Sequence, residues 1–167
     1  MDLRAVGDGN PGAWNALEHL GGRRAAPAFL GDASKALLAG LAGQLIGGYW
    51  VAVAAVAAAM VGHAFPVFAS FRGGKAVMAF AGGAFALSPL AALVALALCG
   101  AVSAVRGFAW GARVGVFAYP AIELAFDPVE RVAATGALMT IIGILFGLAL
   151  IRRSGPATSG SAAGSTT

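Results

Sequence analysis

The sequence has 167 residues, 59% of them apolar and 11% charged, with a formal net charge of +4 and a mean hydropathy of +0.84. A water-soluble domain of this size cannot keep so much apolar surface dry, so composition excludes an ordinary soluble globule. The basic excess forms no stripe with interleaved aromatics, which argues against nucleic acid as a partner, and a single cysteine, Cys99, cannot make an internal disulfide.

In chain order, residues 1–24 form a polar N-terminal segment. Asp2, Arg4 and Asp8 occupy the place where a secretory signal needs its apolar core, so no cleaved signal is expected. Within it Gly7 to Asn15, GDGNPGAWN, packs three Gly, two Asn and one Pro into nine residues. That composition predicts a tight loop with exposed amides and carboxamides rather than a helix. Glu18 and His19 follow as solvated interface residues. Asp32 and Lys35 then sit three apart on one face of an otherwise apolar helix, where charges are expensive and either pair with each other or mark a site.

Two runs without any charge follow, Ala36 to Val61 and Ala76 to Val105, each longer than the roughly 20 residues that span a bilayer. Gly47-Gly48 breaks the first and Ser88-Pro89 the second, so each is read as a helical hairpin. A third hairpin is expected from Arg113 to Ile151, turning at Asp127-Pro128. The fold class is therefore all-α, a polytopic helical membrane protein of about six membrane segments arranged as three hairpins. Its helical domain covers 25–153, and a disordered Ser/Gly/Ala/Thr tail covers 154–167. If the three turns face outward, ten of the eleven basic residues lie inside and only Arg131 outside. That pattern places both termini and the connecting loops in the cytoplasm, at a bacterial plasma membrane. Trp14, Trp50, Tyr49 and Trp110 are read as interfacial anchors, Cys99 as packing, and Tyr119 with Glu123 as too little to make a site. No Cys/His spacing suggests a metal.

Between the first two hairpins lies Gly62 to Lys75, GHAFPVFASFRGGK. Its Gly-Gly-Lys ending offers backbone N–H groups that a Cβ would crowd, with a cation beside them, at the start of the next helix. That is what a phosphate requires. The same residues would also serve as a tight cytoplasmic turn with Lys75 as an anchor. His63, beside a Phe-Pro turn, is expected to orient the loop by hydrogen bonding to the backbone, with a general-base role as the alternative.

This loop resembles the second signature of the bacterial acyl-phosphate glycerol-3-phosphate acyltransferases, approximately GHxFPxFxxFKGGKGVAT. GDGNPGAWNALE resembles their first signature, approximately GSGNxGATNxxR, and GDASKA resembles the Asp-x-x-Lys-Gly element that follows it. The three occur in the family's order. The resemblance implies an integral membrane enzyme that moves a fatty acyl group from acyl phosphate to the 1-hydroxyl of glycerol 3-phosphate, with no cofactor. It implies catalytic roles for Asn10, Asn15, His63 and Lys75, and substrate or phosphate binding by Gly9, Gly12, Asp32, Lys35, Arg72, Gly73 and Gly74. The partners it implies are the two substrates and membrane lipids, with self-association or a second subunit left open.

The signatures also carry substitutions. Asp8 stands where the pattern has Ser, Trp14 where it has Thr, and Glu18 where it has Arg. Arg72 replaces Lys with its charge kept, Ala76 replaces Gly, and Met78-Ala79 replaces Ala-Thr. Family members also have a membrane helix ahead of the first signature and a basic third signature after the last helix. An active enzyme with this sequence is expected to draw its missing cations from Arg4, Arg23 or a partner chain. The alternative expectation is a descendant without catalysis that serves as a membrane scaffold or lipid-binding subunit.

Overall fold

The computed structural model describes residues 6–7, 13–71 and 73–153. Gly9, Asn10, Gly12 and Arg72, and the tail 154–167, lie outside the described residues. Among those described, the chain is all-helical: α1 (Ala13–Leu20), α2 (Gly22–Ala64), a 3-10 turn (Val67–Ala69), α3 (Val77–Leu87), α4 (Pro89–Arg106), α5 (Phe108–Glu123) and α6 (Val129–Arg153). The expected loop through Asn15 is corrected at its end. Helix α1 already begins at Ala13, because Ala, Leu, Glu and His after the glycines are adequate helix formers.

The three predicted breaks are where the helices turn. Inside α2, Gly47 (φ −155°) and Gly48 (φ +77°) leave helical geometry, and the second of these conformations is one that a side chain would strain. The two arms, 22–46 and 49–64, then fold back on each other. A Cβ built on Gly43 would lie 2.6 Å from Ala52 Cα, so the arms approach backbone to backbone. Within a bilayer apolar burial drives little helix association, and such small-residue contacts hold helices by packing. Ser88 ends α3 and Pro89 opens α4, where a missing N–H costs nothing. Asp127-Pro128 separates α5 from α6.

Among the described residues, three apolar stretches are long enough to cross a membrane: Gly22–Ala69, Pro89–Arg106 and Val129–Ile151. Helix α3, with 11 residues, rises about 16 Å, roughly half of a hydrocarbon core. Large apolar side chains such as Leu45, Ile46, Phe117 and Ile151 face outward, as lipid permits and water does not. The interior is filled by Val56, Met60, Phe80, Leu87, Tyr119, Leu138, Ile142 and Leu145, with the Phe80 and Tyr119 rings edge to face at 5.5 Å.

At the turn end of the bundle, polar groups from four segments meet. Arg131 pairs with Asp127 at 3.2 Å and lies 4.5 Å over the Tyr49 ring, while the Tyr49 hydroxyl donates to the Arg131 carbonyl at 3.2 Å. Ser88 donates to Asp127, and Thr135 bonds the fully buried Glu123. Tyr119 and Glu123 are thus interior groups at this junction.

Candidate active site

The α2 hairpin brings residue 35 beside residue 63, and this juxtaposition creates the site at the end opposite the turns. Asp32 and Lys35 share a face of the first arm, and His63 closes the second. Asp32 Oδ1 lies 2.7 Å from Lys35 Nζ and 3.1 Å from His63 Nδ1, and Lys35 Nζ is 2.5 Å from the same Nδ1. That nitrogen has one role at a time. Protonated, it donates to Asp32; bare, it accepts from Lys35. In the first state Nε2 keeps its lone pair, with Asp32 fixing the ring. Asp32 also balances the Lys35 charge, which makes a cation tolerable on an apolar helix.

The loop after α2 folds back over this triad. Ala69 and Phe71 donate to the Pro66 carbonyl at 3.1 and 3.0 Å, Ser70 donates to Val67 at 3.3 Å, and Gly73 donates to the Ala64 carbonyl at 3.0 Å. The two glycines are sterically required here. A Cβ on Gly73 would lie 1.9 Å from the His63 carbonyl oxygen, and one on Gly74 would lie 2.3 Å from His63 Nε2. Ser70, Phe71 and Ala76 all take left-handed φ values of 52–59°, unfavourable for residues with a Cβ and characteristic of segments held in shape for a task. Helix α3 then opens at Val77 with no side-chain cap, so its first-turn amides carry the partial positive charge of a helix start.

Together these elements enclose an open pocket of about 510 Å³. Ala28, Asp32 and Lys35 line it from the first arm, Ala59, Gly62 and His63 from the second, and Pro66, Phe68, Ala69, Gly73 and Gly74 from the loop. An apolar wall beside a cation, an imidazole and glycine backbone suits a ligand that is anionic at one end and greasy at the other.

Of the residues expected to form a site, Asp32, Lys35, His63, Gly73 and Gly74 are brought together. Two expectations change. The Gly73 amide is already committed to the Ala64 carbonyl, so it does not serve as the expected phosphate donor, while Gly74 lines the pocket beside it. Among the described residues His63 bonds the Asp32 and Lys35 side chains rather than the backbone, because the hairpin sets it opposite them. Lys75 stands outside the pocket lining, with its ammonium 4.5 Å over the Phe146 ring, joining the loop to α6. Asn15 is fully buried and donates to the Val6 carbonyl at 3.0 Å, also outside the lining. Sequence reasoning passed over Phe68 and Pro66 as pocket walls, although both stand in the signature loop.

Comparison with known proteins bears on the family and the fold. The family model described as glycerol-3-phosphate acyltransferase matches residues 1–155. A glycerol-3-phosphate acyltransferase of Neisseria gonorrhoeae (strain NCCP11945) is 42% identical over 137 residues, 76% of this chain and 66% of that protein. One from Thermoanaerobacter sp. (strain X514) is 43% identical over 98 residues, 59% of this chain. The chain spans half of the length of that relative. In structure it is similar to PlsY, an integral membrane glycerol 3-phosphate acyltransferase, in its glycerol 3-phosphate form. The TM-score is 0.77 and the identity 28%, over 92% of this chain and 78% of the other. The chain is therefore a member of the glycerol-3-phosphate acyltransferase family.

Proposed function

We propose that the chain is a membrane acyltransferase that moves a fatty acyl group from an acyl phosphate to the 1-hydroxyl of glycerol 3-phosphate, forming lysophosphatidic acid for phospholipid synthesis. The observation that carries this reading is the convergence of Asp32, Lys35 and His63 with the Gly73-Gly74 backbone around one pocket with an apolar wall. An acyl phosphate brings its own leaving group. The protein needs to neutralise phosphate charge and align the reactants, which is where most of the acceleration would come from.

In the reaction the acceptor hydroxyl attacks the acyl carbonyl, the new ester C–O bond forms, and the bond from the acyl carbon to the phosphate oxygen breaks. His63 Nε2, with Nδ1–H held by Asp32, receives the hydroxyl proton, and inorganic phosphate departs with the bonding electron pair. Lys35 and the Gly74 amide hold phosphate oxygens beside the helix start of α3, and Arg72 and Lys75 of the signature would add positive charge to the loop. Asn10, Asn15, Gly9 and Gly12 would shape the acceptor side, which the first signature supplies. The orientation that fits the ten-to-one division of basic residues puts this end in the cytoplasm and the turn end outside, with about six membrane segments.

Purified chain in lipid should convert acyl phosphate and glycerol 3-phosphate to lysophosphatidic acid and phosphate without metal or nucleotide. Product from a thioester donor alone would remove the acyl phosphate from the reading. Folded, inserted protein that makes no product with either donor would leave the scaffold alternative.

A further inference from the structure

The three phenylalanines of GHAFPVFASFRGGK do not behave alike. Phe65 packs against the core, whereas Phe68 is 99% and Phe71 57% exposed, with Val67 beside them at 70%. Four backbone hydrogen bonds close the segment, and Ser70 and Phe71 hold left-handed conformations, so the outward placement of the rings is built into the loop. We propose that Val67–Phe71 is a membrane-interface foot, seated at the boundary between headgroups and acyl chains, which opens the pocket mouth to the bilayer.

Continuity selects lipid as the occupant. The second arm of α2 carries no charged residue from Tyr49 to Gly62, and Val61 on its last turn faces outward just before the foot. Three side chains expose on the order of 500 Å² at most, below the roughly 800 Å² per partner that a stable protein interface buries. The chain's own tail, 154–167, is Ser, Gly, Ala, Thr and one Pro, without a large apolar residue to cover the rings. Aromatic rings at a membrane boundary are stably placed there. Phe68 also lines the pocket beside His63 and Gly74, so a molecule with a fatty chain can slide from the bilayer along Phe68 to the triad. This route rests on the acyl-donor reading above; the foot itself does not.

The test uses the full chain in lipid nanodiscs, with Cys99→Ser and Phe68→Cys carrying a bimane label, and needs no turnover. Quenching by spin-labelled lipid near the headgroup should exceed quenching by a label deep in the chain, and aqueous iodide should quench weakly. Full iodide quenching without lipid quenching overturns the foot. Protection from both overturns it too, since protein then covers the rings. In activity assays, Phe68→Ser with Phe71→Ser should raise the KM for membrane-borne acyl donor several-fold and leave that for glycerol 3-phosphate unchanged. An equal rise in both overturns the lateral route. A seated foot in a chain without any transferase activity would sink the function and leave the foot standing.

Discussion

The two ends of the bundle handle polar groups in opposite ways. At the turn end, Ser88, Asp127, Arg131 and Tyr49 satisfy one another, and Glu123 with Thr135 is sealed from the surface. At the loop end, Asp32, Lys35 and His63 also touch, yet they stand in an open pocket, with one imidazole nitrogen facing a glycine and backbone held in left-handed conformations. Both clusters hold helices together, but only the second keeps donors and charge turned toward a space. Closed polar junctions specify which hairpins meet; strained, open ones mark chemistry. Substitutions should therefore separate the two ends, by stability at one and by reaction at the other.

The largest effect is expected at Gly74. A valine there collides with His63 Nε2, displaces the ring or the loop, and should lower turnover by about 100-fold or more, with insertion and fold retained. Steady-state kinetics on detergent-purified protein with a normal elution profile would check this, and near-native turnover would return the loop to a plain turn.

Asp32→Asn comes next. It removes the carboxylate that orders Lys35 and His63 while keeping the volume, and a loss on the order of tenfold to a hundredfold in kcat is expected. A change confined to thermal stability would assign Asp32 to packing alone.

At the turn end the expectation reverses. Arg131→Ala deprives the mostly buried Asp127 of its cation, leaving the Ser88 hydrogen bond, and removes the Tyr49 ring contact, for a loss of about 1.5–3 kcal/mol of stability. Thermal unfolding should show it, while turnover per folded molecule stays native. A matching loss of turnover at temperatures where the protein is folded would erase the distinction between the ends.

The smallest effect is a gain. Ala76 holds φ at +59°, and the related signature has Gly at this place, so Ala76→Gly should stabilise by about 1 kcal/mol. Unfolding measured side by side with the parent would detect it, and destabilisation would show that the Ala76 methyl, which is buried, contributes more than its backbone costs.

Much of this was legible in the residues, for local reasons. Gly47-Gly48, Ser88-Pro89 and Asp127-Pro128 are strong punctuation inside apolar runs, and the helices do turn there. Asp32 and Lys35 announce themselves as a pair by their spacing. That His63 completes the triad follows only once the hairpin sets residues 28 apart side by side. The commitment of the Gly73 amide to Ala64 depends on the loop's fold-back, which spacing does not encode. The turn-end cluster was missed entirely, because its members come from four segments, and Tyr119 and Glu123 seen alone carry no pattern. The start of α1 at Ala13 was hidden by the glycines just before it.

The most direct test is equilibrium binding of a short-chain, non-hydrolysable acyl-phosphate analogue, by calorimetry in lipid nanodiscs, to the native chain, Lys35→Met and Arg131→Ala. Loss of one charge-assisted phosphate contact corresponds to about 1.5–3 kcal/mol, so Lys35→Met should bind at least about tenfold more weakly. Arg131→Ala should match the native chain. Equal affinity for native and Lys35→Met protein, both folded, would contradict a phosphate site at the Asp32, Lys35 and His63 pocket.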